Sequence, residues 1–196
     1  MNFLAHFHLA WPEAGLIVGA LEGDYLKGPL KGDLPRGIEE GVALHRAIDA
    51  YTDQHARVVE LRQALPQGLR RYGGILIDLS FDHCLARRWN DFSDLPQPQF
   101  NAAVYRTLRL QGNQLSPAAR GMSQRLQEHD LLHLYREWRT VTASAERIGE
   151  RFSRGNPFTD VASALTPLKG DIERAFIDFY PQLQAFTAQR LSTLRK

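Results

Sequence analysis

The stretch Ile75-Leu76-Ile77-Asp78-Leu79-Ser80-Phe81-Asp82-His83-Cys84-Leu85-Ala86-Arg87-Arg88-Trp89 decides how this chain is read. As a helix, running from about Gly74 to Asn90, it sets Asp78 and Asp82 on one face, about 40° apart around the axis, with His83 on the adjoining edge. Two neighbouring acids repel each other and are costly to bury. An apolar helix that carries them therefore needs a neutralising group, which could be a cation, an arginine or a metal ion. The alternative is a pair of acids that are solvated or matched by the nearby Arg87 and Arg88.

Working outward, helical periodicity dominates, and no run alternates apolar and β-branched residues with polar ones as a strand would. The expectation is an all-α, single-domain helical bundle spanning residues 1–196. The spacing predicts helices at about 2–10, 13–27, 38–52, 56–65, 99–111, 117–127, 131–152 with a break near Ser144, and 158–194 with kinks or interruptions at Gly170 and Pro181. Trp11-Pro12 separates the first two helices, and the Gly- and Pro-rich segment from Gly28 to Gly37 reads as an exposed basic loop. The 43% hydrophobic and 23% charged content suits one globular core. A net charge of +2, from 24 basic and 22 acidic residues, is not that of a polycation and gives no ground for a nucleic-acid partner. No run approaches the roughly 18 apolar residues of a membrane span, and the start lacks a basic region ahead of an apolar core, so a cytoplasmic protein without a membrane role is expected. Cys84 is the sole cysteine, which rules out an internal disulfide and makes a buried thiol the simpler reading than a reactive one or a thiolate zinc site.

Three more constellations carry possible chemistry. His45, Asp49 and Asp53 follow one another at four-residue steps, a polar stripe about 12 Å long on a continuous helix. Imidazole and carboxylate together are ordinary ligands for Zn, Mn or Fe. The plainer alternatives are a surface His45–Asp49 pair and a Thr52-Asp53 cap for the next helix. Asp24 stands near the end of an apolar helix, where an acid opposes the helix dipole and needs compensation. His6 and His8, two residues apart, point about 200° from each other on a helix and cannot both face one site, so structural roles are expected for both. The doublet His129-Asp130 lies in a polar segment without a partner cluster, and a metal role there is not expected.

Taken together, Asn2-Phe3-Leu4-Ala5-His6 with His8-Leu9-Ala10, Gly23-Asp24 with Lys27-Gly28, His45-Arg46 with Ile48-Asp49 and Thr52-Asp53, and Asp78 with Asp82-His83 and Trp89 closely resemble the acyl carrier protein phosphodiesterases. The likeness continues at Tyr135-Arg136 and Phe179-Tyr180-Pro181, in register over almost the whole chain. The resemblance implies an all-helical relative of the HD phosphohydrolases. Its activity would be the metal-dependent removal of the 4′-phosphopantetheine arm from holo acyl carrier protein. Mn²⁺ is the expected activator, with Mg²⁺ and Fe²⁺ as alternatives. It further implies Asp24, His45, Asp49, Asp82 and His83 as the catalytic set, with Asp24, His45, Asp82 and His83 holding the metal and Asp78 and Asp53 as secondary candidates. The usual His-Asp doublet is reversed here as Asp82-His83, so ligands are not transferred one by one from ordinary HD enzymes.

The implied substrate is an acidic protein, and a local basic patch is needed to meet it. Lys27, Lys31 and Arg36 supply one, Arg87-Arg88 could extend it, and Arg46 could reach a substrate phosphate from the rim of the site. Two other functions compete: a phosphohydrolase acting on a small nucleotide, and a helical protein that binds the carrier without catalysis.

Overall fold

The computed structural model describes residues 1–194. Its helices run in the order α1 (Phe3–Ala10), α2 (Ala14–Glu22), α3 (Arg36–Gln54), α4 (Ala56–Ala64), α5 (Gly73–Arg87), α6 (Gln97–Leu110), α7 (Pro117–Glu128), α8 (Leu131–Leu134), α9 (Trp138–Gly149), α10 (Val161–Leu165) and α11 (Lys169–Leu194). Short 3₁₀ turns occupy some of the connections, and no strand occurs among the described residues. The fold is all-α, as its helical periodicity predicts.

The stretch that opens the sequence reading forms the middle of the molecule. α5 buries Leu76, Ile77, Leu79, Phe81, Leu85 and Ala86 around most of its circumference and packs against α1, α4, α9 and α11. A helix that is apolar nearly all round must be covered on every side. Cys84 is buried within it, and burial pushes its thiol up to about 12. Since the thiolate is the reactive form, alkylation at pH 8 is expected to run on the order of 10³-fold slower than for an exposed thiol. Timed labelling of native and urea-unfolded protein reads this directly, and equal rates in the two would contradict the buried thiol.

α2 and α3 approach more closely than any side chain would allow. A Cβ built on Gly19 would stand 2.6 Å from the Gly41 Cα and 2.7 Å from the Val42 nitrogen, and one on Gly41 would stand 2.7 Å from the Leu16 carbonyl oxygen. The two backbones are therefore in contact through glycine, which fixes the position of the end of α2 against α3.

Several boundaries differ from the sequence expectation. α2 ends at Glu22 rather than continuing to Lys27, because Gly23 begins a turn in which the amides of Tyr25 and Leu26 donate to the Glu22 carbonyl at 2.9 and 2.8 Å. The segment beyond is tied to α3 by Arg46, which donates to the carbonyls of Leu26 and Gly28 at 2.8 Å each. The predicted 131–152 helix breaks at residues 135–137, not at Ser144, and the Thr140 hydroxyl donates to the Leu134 carbonyl at 2.6 Å across the break. α11 runs through both Gly170 and Pro181. Gly170 falls in its first turn, where backbone amides lack intrahelical partners in any case. Pro181 is flanked by the buried Phe179, Tyr180 and Leu183, whose packing outweighs the lost hydrogen bond. α4 is capped by His55, whose Nδ1 accepts from the Arg57 amide at 3.3 Å, not by Thr52 or Asp53. The Thr52 hydroxyl instead donates to the Ile48 carbonyl at 2.8 Å.

Candidate metal centre

Three side chains from two helices meet beside the N-terminal end of α1. His6 on α1 and His45 on α3 stack face to face, ring centroids 4.0 Å apart and planes 15° from parallel. Asp49, one turn beyond His45 on α3, joins them: its Oδ1 lies 3.0 Å from His6 Nε2 and its Oδ2 3.1 Å from His45 Nε2. The i,i+4 spacing of α3 thus delivers an imidazole and a carboxylate to one point, and the glycine contact with α2 leaves room for the His45 ring. A Cβ on Gly23 would stand 2.8 Å from the His45 Cβ. Asp24, half-exposed in the turn after α2, brings its Oδ1 to 3.8 Å from His45 Nε2.

The electrostatics favour a neutral His6 beside a firmly ionised Asp49. Burial pushes His6 down to about 3, and the neighbouring His45 ring adds to that, since two stacked imidazolium ions would repel. Burial alone would raise Asp49, but hydrogen bonds from His45 and His6 and the Met1 ammonium hold it far below the usual carboxylate range. Burial raises Asp24 above its ordinary value, with His45 opposing.

The ligand atoms of His6, His45 and Asp49 all lie within 4.8 Å of one another. Neutral imidazole and carboxylate are the forms that bind a divalent cation, and two nitrogens with one oxygen suit Mn²⁺, Fe²⁺ or Zn²⁺. Each imidazole also keeps a buried Nδ1 that has no hydrogen-bond partner. The donor set therefore fits a metal ion, and Asp24 stands close enough to extend it.

The remaining candidates are placed differently. Asp78 and Asp82 do share a face of α5, as their spacing requires, and each has its own neutralising partner. Asp78 Oδ1 lies 3.0 Å from the Met1 ammonium, which also contacts Asp49 Oδ1 at 3.2 Å. Asp82 is fully buried and accepts from the amides of Leu4 and Ala5 at 2.7 and 3.2 Å, so it caps the start of α1. Burial nevertheless pushes its carboxyl up to about 7.

His83 is not brought to the cluster. Its Nδ1 donates to the Tyr135 carbonyl at 2.8 Å, and its ring meets Trp138 edge-on in a separate cleft that also contains Lys169 and Glu173. Asp53 pairs with Arg62 at 3.1 Å on the surface. Of the basic residues, Arg46 is committed to the loop carbonyls and Lys27 Nζ donates to the Asp24 carbonyl at 2.8 Å. Arg36 pairs with Glu40 at 2.6 Å, and Lys31 is exposed in the loop.

His6 is the member that sequence reasoning left out. The two histidines do diverge as expected, and His8 turns away to bond the Tyr180 hydroxyl at 2.7 Å. That divergence frees His6 to face Asp49. The signal lay in the Asn2-Phe3-Leu4-Ala5-His6 run itself, since a His45–Asp49 pair needs further donors to hold an ion.

The fold and this donor set define an all-helical protein with a His-His-Asp cluster suited to a divalent cation. A sequence model of acyl carrier protein phosphodiesterase matches residues 1–183. The acyl carrier protein phosphodiesterase of Klebsiella pneumoniae is 32% identical over 184 residues, covering 93% of this chain and 95% of that protein. The protein of the same name from Salmonella dublin is 29% identical over 191 residues, covering 97% of this chain and 99% of its own. The chain belongs to the acyl carrier protein phosphodiesterase family. No solved structure matches it.

Proposed function

We propose that the protein hydrolyses the phosphodiester joining 4′-phosphopantetheine to the serine of holo acyl carrier protein, in the cytoplasm, with Mn²⁺ as its metal. The convergence of His6, His45 and Asp49 on one point carries this reading, because two imidazoles and a carboxylate whose ligand atoms lie within 4.8 Å of one another suit a divalent cation. These three residues would hold the ion, with Asp24 as the exposed fourth donor facing incoming substrate. A divalent ion held there supplies Lewis-acid stabilisation of the phosphoryl oxygens and lowers the pKa of an attacking water.

In the reaction, water adds to phosphorus, the bond from phosphorus to the serine oxygen breaks, and the serine oxygen leaves with a proton. Apo carrier protein and free 4′-phosphopantetheine result. Asp24, exposed and 3.8 Å from His45, is the group placed to orient the attacking water, and Asp49 fixes the orientation of both imidazoles. Asp82 acts indirectly: by capping α1 at Leu4 and Ala5 it sets where His6 stands.

Incubation of the protein with holo carrier protein and Mn²⁺, followed by intact-mass measurement, tests the reading. The expected result is conversion of the carrier to its apo mass with release of the free arm, stopped by chelator and restored by Mn²⁺. Conversion that is indifferent to chelator would remove the metal from the mechanism. An unchanged carrier mass together with turnover of free nucleotides would favour a nucleotide phosphohydrolase.

A further inference from the structure

Beyond Asp24 the surface opens into a cleft of about 360 Å³, within the ~300–1,000 Å³ usual for small-molecule sites. Its lining is unlike that of the cluster. Phe3 of α1, Leu79 of α5, Met122 of α7, Leu131 of α8 and Ile148 of α9 give it an apolar lining, and Asp24, which also stands 3.8 Å from His45 Nε2, lines it too. Arg147 near the end of α9 and Arg151 in the turn just after it are exposed among the lining residues. Neither has an ion-pair partner among the described residues, and Arg151 and Arg125 both lie near Tyr25, also in the lining. The cleft therefore joins a phosphate-directed end to an apolar channel beneath an unpaired basic rim.

We propose that this cleft is the binding channel for the prosthetic arm: the phosphodiester sits at Asp24, the linear amide chain lies along Leu79, Met122 and Ile148, and Arg147 and Arg151 face acidic side chains of the carrier. This rests on the proposed hydrolysis for the identity of the arm. Continuity with the cluster through Asp24 and the charge match at the rim select the occupant. A linear chain tethered to a phosphate has to leave the metal along some groove, and this groove shares Asp24 with the cluster. The basic surface that meets the carrier is then built by α9 as well as by the loop after α2.

The test uses full-length, Mn²⁺-loaded protein and free 4′-phosphopantetheine carrying a photoreactive diazirine on its thiol. Crosslinks to peptides containing Met122 or Ile148, competed by unlabelled 4′-phosphopantetheine, are expected; crosslinks confined to other surfaces overturn the channel. Ile148→Trp and Ser144→Phe fill it from the same wall, and each is expected to weaken 4′-phosphopantetheine binding at least tenfold while leaving Mn²⁺ binding unchanged. Two folded variants with native affinity for the arm also overturn it. The double variant Arg147→Glu/Arg151→Glu is expected to raise KM for holo carrier about tenfold with kcat within twofold and with free-arm affinity unchanged; an unaltered KM overturns the role of the rim. Arm binding that depends on the channel in a protein unable to cleave holo carrier would refute the proposed hydrolysis and leave the channel standing.

Discussion

Replacing Asp49 with Ala is expected to lower kcat/KM for holo carrier protein by about 10³-fold or more, roughly 4 kcal/mol of transition-state stabilisation. One carboxylate holds both imidazoles, at 3.0 and 3.1 Å, so its removal frees two rings as well as deleting a ligand. The side chain is 42% exposed, and the fold should survive its loss. Mn²⁺ stoichiometry should fall in parallel with activity, which separates a ligand from a residue that merely shapes the pocket. Asp49→Asn keeps the shape and removes the charge, and should fall between Asp49→Ala and the unaltered protein. Asp53→Ala, one turn further along α3 and paired with Arg62, serves as the control and should stay within twofold. Retention of more than a tenth of the activity by Asp49→Ala would remove the cluster from the mechanism.

The largest stability effect is expected at Gly19. In an exposed helix, Gly→Ala stabilises by up to ~1 kcal/mol through propensity. At Gly19 the sign reverses, because a new methyl would meet the backbone of Ile38, Gly41 and Val42 rather than a flexible side chain. Separating two helices packed at that distance costs on the order of 3 kcal/mol, a fall of about 6–12 °C in Tm for a chain of this size. Gly68→Ala, where a Cβ meets nothing within 4 Å, should leave Tm almost unchanged. A neutral Gly19→Ala would mean that α2 and α3 can part without loss. Activity should fall with Gly19→Ala as well, since Asp24 follows α2 and His45 lies on α3.

Helix content and the central place of α5 were legible because periodicity and apolarity are local properties. The acid pair was legible too: four-residue spacing forces Asp78 and Asp82 onto one face whatever surrounds them. What spacing cannot supply is which element covers that face. α1 covers it, so Asp82 meets two amides and Asp78 an ammonium. His83 entered the candidate set through the resemblance, as part of Asp82-His83, yet neighbouring residues on a helix point about 100° apart. One therefore faces α1 while the other faces Tyr135 and Trp138. Arg46 was legible as a rim cation, but its carbonyl partners at Leu26 and Gly28 exist only once the loop folds back over α3. Arg147 and Arg151, at and just past the end of α9, carry no motif, and only the packing of α9 beside Leu79 gives them a place.

His6, Asp24, His45 and Asp49 all fall within the first quarter of the chain, whereas the far wall of the cleft is built from residues 122–151. Under the proposed function, the residues that would hold the metal and the residues that would line the arm's channel come from separate segments of the chain. Substitutions in α7 and α9 should then alter arm binding without displacing His6, Asp24, His45 or Asp49, because none of those four lies on either helix.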